Sequence, residues 1–260
     1  MPLRLFALLG LLLAYAAPVP AAAQSAPTVA AASDLKFALE EIAAKFKAES
    51  GRDIRLTFGS SGNFTTQLLQ GAPFEIFLSA DEGYVFQLAD AGKTADRGVL
   101  YAEGRIVLFA PKGSPLNPDA GFKDLRKALA DGRIQRFAIA NPEHAPYGRA
   151  AEQAMKGQGL WDAVLPKLVL GENVSQAAQF AASGSTQGGI FAYSLVLAPA
   201  VGGLGRYVLI PSEWHAPLRQ RMVLMKSAGE TARAFYRFVQ EPAARALFRQ
   251  YGFVLPGEAS

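Results

Sequence analysis

The chain has 260 residues, half of them hydrophobic, enough to bury one large core or two modest ones. It has no cysteine, which excludes disulfides and a lipid-bearing cysteine at its start. Its net charge is +4, with basic residues scattered rather than gathered among aromatics, so a nucleic-acid partner is not expected.

The N-terminus reads Met1-Pro2-Leu3-Arg4, then an apolar run over 5–17, then Ala21-Ala22-Ala23 before Gln24. A charged start, an apolar centre and an Ala-x-Ala site describe a secretory signal peptide over residues 1–23. The competing reading is a membrane anchor, which needs about 20 apolar residues. This run has about 13. No other run approaches that length, so the mature chain is expected to be soluble, exported and free in the periplasm. Cleavage removes Arg4 alone and lowers the net charge from +4 to +3, too little to attract an anion strongly through screening salt.

Thr28–Ala32 reads as a short strand that ends at Ser33. Leu35, Leu39, Ile42, Ala43 and Phe46 then recur at helical spacing, with Ser33 at the N-cap, Asp34 in the first turn and Gly51 as the stop. As a first-turn carboxylate, Asp34 is expected to point to solvent. Residues 52–58 form the next strand. They lead into Gly59-Ser60-Ser61-Gly62-Asn63 and a helix over 64–70. A strand that turns through Gly and Ser into a helix start presents unpaired amides and the positive end of the helix dipole. Such a turn binds an anion, or it merely caps its helix. Two consecutive βα units end in Ser-bearing turns of this kind. In a parallel sheet such turns lie side by side at the carboxyl edge, where open α/β sheets place their ligands.

Gly71-Ala72-Pro73 breaks the second helix. A strand over 74–79 and a helix opened by Ala80-Asp81-Glu82 follow. Gly92-Lys93-Thr94 resembles the end of a phosphate-binding loop, but Gln87 stands where that motif needs glycine. Residues 105–110 form an apolar strand, and the loop Pro111-Lys112-Gly113-Ser114-Pro115 marks a crossing into a second lobe. There the pattern repeats. Helices are expected over 122–130 and 149–156, and strands over 136–140 and 167–170. A helix opens at Gly171-Glu172-Asn173-Val174-Ser175, and strands follow over 188–192 and 206–210. A strand over 222–226 returns to the first lobe, and helices over 231–239 and 242–251 close the chain. The alternation of strand and helix defines an α/β class.

Enzymatic readings find little support. The two histidines, His144 and His215, stand apart, in a Pro-flanked loop and beside Trp214. No His-x-x-x-His, cysteine pair or carboxylate cluster suggests a transition-metal site. Gly59-Ser60-Ser61-Gly62 is one residue short of a Gly-x-Ser-x-Gly nucleophile elbow, which leaves a serine hydrolase as the remaining enzymatic alternative.

Six segments together resemble the periplasmic molybdate-binding proteins. They are Ala31-Ala32-Ser33-Asp34-Leu35, Phe58-Gly59-Ser60-Ser61-Gly62, Gln70-Gly71-Ala72-Pro73, Ser79-Ala80-Asp81-Glu82, the stretch from Asn141-Pro142 to Tyr147-Gly148, and Arg249-Gln250-Tyr251-Gly252-Phe253. The resemblance implies a two-lobed periplasmic binding protein fold of type II, each lobe a mixed sheet flanked by helices, joined by two crossing strands. Lobe I would hold 27–105 and 219–260, and lobe II 106–218. It implies capture of molybdate or tungstate and delivery to an ABC-type permease, by a monomer without cofactor or enzymatic activity.

By the same resemblance the ligand donors are Ser33, Ser61, Tyr147 and the backbone amide of Val174. They bind the oxygens of the anion, with no bond to the metal. Many relatives carry a small residue at Tyr147 and a tyrosine near Ala192; this chain has the reverse. Tyr193, expected on a strand facing away from Ala192, is left out. Hydroxyls and amides suit molybdate, which is fully ionised at neutral pH and needs donors only. Sulfate needs the same, and protonated phosphate would need an acceptor such as Asp34.

Overall fold

The computed structural model describes residues 26–258, and the expected signal peptide lies outside them. Two five-stranded mixed sheets organise the chain. The strands are β1 (Thr28–Ala32), β2 (Arg55–Gly59), β3 (Ile76–Ser79), β4 (Val99–Gly104), β5 (Ile106–Pro111), β6 (Phe137–Ala140), β7 (Leu168–Gly171), β8 (Gly188–Ala192), β9 (Gly205–Leu209) and β10 (Leu218–Leu224). The first sheet runs β2-β1-β3-β10-β4 and the second β7-β6-β8-β5-β9. In each, three parallel strands are followed by one antiparallel to both neighbours, β10 in the first and β5 in the second.

The chain therefore changes sheets twice, at Arg105 between β4 and β5 and again between β9 and β10. The Pro-Gly-Ser loop at 111–115 is not the crossing: β5 already pairs within the second sheet, and the loop turns the chain at its far end. What ends one sheet and begins the next is a single half-buried arginine between two strands, with no loop composition to mark it.

The helices are α1 (Lys36–Ser50), α2 (Ser61–Leu69), α3 (Glu82–Asp90), α4 (Lys123–Ala130), α5 (Pro146–Gly157), α6 (Trp161–Val164), α7 (Val174–Ala182), α8 (Tyr193–Val196), α9 (Pro199–Gly202), α10 (Glu230–Phe238) and α11 (Pro242–Gln250). Helix α1 buries Leu39, Ile42 and Phe46 against one face of the first sheet, and Gly51 ends it at φ 70°. Phe46 meets Phe235 and Phe238 of α10 edge-on at 5.2 and 5.4 Å, so the C-terminal helices close this core. Helices α2 and α3 cover the other face through Phe64, Leu68, Val85 and Leu88. The central strands β1, β3 and β5 are almost wholly buried, as expected of strands covered on both faces.

Three local departures from the sequence reading matter for the site. Helix α5 begins at Pro146, whose fixed φ and missing N–H suit a first helical position. That places Tyr147 in the first turn rather than in a loop. Strand β8 stops at Ala192, and Tyr193 opens the short helix α8, its ring packed near Gly252 and Tyr207. Asp34 lies in a 3-10 turn (Ser33–Leu35) before α1 and is 1% exposed, not solvent-facing.

Candidate oxyanion-binding site

Each parallel strand triplet ends at the face where the two halves meet. A small cavity there is lined by Ser33, Asp34, Ser60, Ser61, Tyr147 and Val174, together with Ala and Gly backbone. The four residues expected to bind ligand thus share one cavity, two from each half of the chain. The starts of α2, α5 and α7 converge on it. The first amides of a helix have no partner inside it, and they carry the positive end of the dipole. No Lys or Arg lines the cavity. Attraction for an anion would come from aligned dipoles and donors.

The hydroxyls are not equivalent. Ser61 Oγ accepts from the Ala80 N–H at 3.0 Å, which leaves its own proton free to turn toward the cavity. Ser33 Oγ donates to Asn173 Oδ1 at 3.0 Å and accepts from the Ser175 N–H at 3.2 Å. Tyr147 Oη donates to Asp34 Oδ2 at 3.0 Å, because a buried carboxylate is the strongest acceptor within its reach. Of the three hydroxyls, only that of Ser61 has an uncommitted proton among the described residues.

Asp34 is the group that sequence reasoning misplaced. Its Oδ2 also accepts from Gln220 Nε2 at 2.6 Å, and Gln220 Oε1 accepts from Tyr101 Oη at 2.7 Å. Burial pushes its carboxyl up to about 6, partly offset by the hydrogen bonds from Gln220 and Tyr147. Burial, and then the charge of Asp34, hold the Tyr147 phenol well above its ordinary value. Gly104 makes this cluster possible, since a Cβ there would collide with Tyr147 Oη and meet Gln220 Nε2 at 2.9 Å. A signal for Gln220 was present: on β10 it shares its inward alternation with Leu218 and Met222, an unusual place for an amide.

The halves touch closely around the cavity. Ser175 Oγ donates to Ser33 O at 2.7 Å, Ser194 Oγ to Asp34 O at 2.7 Å, and the Gly62 N–H to His144 O at 3.0 Å. Arg149 binds Asp81 and donates to Tyr84 Oη at 2.8 Å. His144 Nδ1 lies 2.9 Å from Ser60 Oγ. The cavity enclosed this way has a free volume of about 10 Å³, about that of one water position. A tetrahedral oxyanion is larger, so its admission requires the halves to ease apart. A wider concavity of about 530 Å³ lies elsewhere, lined by Lys93 and Lys226, where no helix start converges.

Two mixed sheets with a donor-lined cleft between them define a solute-binding protein of the periplasmic type. The bacterial extracellular solute-binding protein family matches residues 27–254, and the chain belongs to it. The chain is 36% identical to the molybdate-binding protein ModA of Rhodobacter capsulatus over 91% of this chain and 90% of that one. It is 32% identical to ModA of Escherichia coli strain K12 over 88% of each. The periplasmic molybdate-binding protein of Azotobacter vinelandii superposes with a TM-score of 0.80 at 30% identity, covering 88% of this chain and 99% of that structure. These relatives are binding proteins. Among the described residues no helix is long and apolar enough to cross a membrane, and no cluster of His, Asp or Glu could hold a metal ion.

Proposed function

We propose that this chain captures molybdate or tungstate in the periplasm, between lobe I (27–105 and 219–260) and lobe II (106–218), and delivers it to an ABC-type permease. The observation that carries this reading is the convergence of three helix starts and the Ser61 hydroxyl on a cavity without a cationic side chain. Such a donor set suits a fully ionised tetrahedral dianion. The ligand set is Ser33, Ser61, Tyr147 and the Val174 amide, with contacts to oxygen only. Two residues come from each lobe, so an anion gains all of them only when the cleft is shut. It therefore favours the closed state by its differential affinity. A permease that reads a surface built from both lobes would recognise the loaded carrier. The protein acts as a monomer, without cofactor and without turnover.

Titration calorimetry with molybdate, tungstate, sulfate and phosphate tests this. Tight binding of the first two with weak binding of phosphate supports it; equal affinity for phosphate contradicts it.

One contact favours a second reading. Ser60 Oγ and His144 Nδ1 lie 2.9 Å apart, and Glu172 Oε2 is 3.7 Å from His144 Nε2, as in a hydrolytic triad. The glutamate is too distant to orient the imidazole and is largely exposed. The Ser60–His144 pair is better read as one of the contacts that hold the cleft shut. Ester turnover that disappears in Ser60→Ala would favour the hydrolase.

A further inference from the structure

Asp34 is an unexpected neighbour for a dianion. It lines the cavity, is 1% exposed, and its Oδ1 is buried without a hydrogen-bond partner among the described residues. Its Oδ2 is fixed by two donors, Tyr147 Oη from α5 and Gln220 Nε2 from β10 of the first sheet. A carboxyl held by one oxygen and left bare at the other is arranged to carry a proton on the bare one.

We propose that anion capture at this site is coupled to uptake of one proton by Asp34, whose Oδ1–H then serves as a donor in the pocket. This rests on the oxyanion reading above and adds to it a specificity-determining residue. The balance is simple. A dianion and a carboxylate together place three negative charges in a dry cavity; one proton from solvent on Oδ1 reduces them to two. The same proton turns an unsatisfied acceptor into a hydrogen-bond donor facing an acceptor-only ligand. Oδ2 keeps the bond from Gln220 Nε2, while the neutral carboxyl is a weaker acceptor and frees the single Tyr147 proton to turn to the anion. Tyr147 thus positions the carboxylate before capture and becomes a donor to the ligand on capture.

The surroundings leave Asp34 free to respond. Tyr147 faces it from α5, Gln220 from β10, Tyr101 through Gln220 from β4, and Ser194 of α8 binds its carbonyl. No cationic side chain hydrogen-bonds or ion-pairs with it among the described residues. The basic side chains around the cleft have other partners: Arg149 binds Asp81 and Tyr84, His144 Nδ1 pairs with Ser60 Oγ, and Lys36 lies over the Phe37 ring. Without a fixed counter-cation, an entering dianion opposes the ionised carboxylate directly, and protonation relieves it. Burial already brings this carboxyl to about 6, so the step from neutral solution is short.

The test is molybdate calorimetry in two buffers of different ionisation heat, between pH 6.5 and 8, where molybdate itself stays ionised. The wild type should take up about one proton per anion near pH 8, with affinity falling up to tenfold per pH unit. Asp34→Asn, which places a neutral amide there permanently, should take up none, lose the pH slope and bind more tightly than the wild type at pH 8. Molybdate binding by the wild type with no proton uptake overturns the proposal while leaving the oxyanion reading intact. Undiminished uptake in a folded Asp34→Asn also overturns it. Failure of every oxyanion to bind removes both. The proton count on the wild type needs no variant, so a misfolded substitution does not remove the test.

Discussion

Tyr147 Oη and Asp34 Oδ2 are hydrogen-bonded at 3.0 Å across the cleft, one from the start of α5 and the other from the end of β1. Both are almost fully buried, and Gln220 Nε2 contacts both. Removing the phenol in Tyr147→Phe deprives the Asp34 carboxylate of one donor. Its pKa should rise further, since that hydrogen bond lowers it. Binding of molybdate should weaken about tenfold, the size of one net hydrogen bond to a charged group. Calorimetry and a carboxyl-resolved NMR titration check both parts; an unmoved Asp34 pKa would contradict the assignment.

Stability should depend on Asp34 in a definite direction. Its folded pKa, about 6, lies above the ordinary value of 3.8, so the folded state binds more protons between these two values. Stability contributed by the neutral form is present at the acid end and is lost as pH rises through about 6. The total is on the order of 3 kcal/mol for a shift of this size. Asp34→Asn should therefore melt higher than the wild type at pH 7–8, with the difference closing toward pH 4. A wild type that gains stability from Asp34 on going from pH 5 to 7 would contradict this.

Ser61→Ala should affect ligand and fold together. The lost hydroxyl is the one with a free proton, so affinity should fall about ten- to a hundred-fold. The buried Ala80 N–H loses its acceptor as well, which costs about 1–3 kcal/mol of stability. Thermal melts beside calorimetry check this; a lower melting temperature with unchanged affinity would mean that Ser61 only supports the turn.

Gly62 tests closure. A Cβ there would stand 2.8 Å from both His144 O and Tyr84 Oη, at the point where the halves meet. Gly62→Ala should hold the cleft slightly open and weaken molybdate binding. Small-angle scattering at saturating molybdate should show less compaction than in the wild type. Equal compaction would show that the clash is absorbed locally.

Much of this was legible in the residues. The Ser-bearing turns after β1 and β2 follow from strand-to-helix chemistry alone, and their adjacency follows from parallel pairing. Tyr147, Val174 and their place in the cleft came from family resemblance, because nothing local marks Val174 as more than a helix start. Asp34 was misjudged because a carboxylate in a helix's first turn ordinarily faces water. Its burial depends on Gln220 and Tyr147, far along the chain. The crossing at Arg105 was hidden for a different reason. The loop at 111–115 carries the Pro and Gly that ordinarily mark a boundary, whereas β4 meets β5 through a single residue, and only pairing assigns the two strands to different sheets.

The most direct measurement is a crystal structure with molybdate bound, using anomalous scattering at the molybdenum edge to locate the metal. A single strong peak is expected in the cavity between Ser33 and Ser61 on one side and Tyr147 and Val174 on the other. The Asp34 carboxyl should lie within hydrogen-bond reach of the anion. A peak elsewhere, such as between Lys93 and Lys226, or no peak at saturating molybdate, would contradict it.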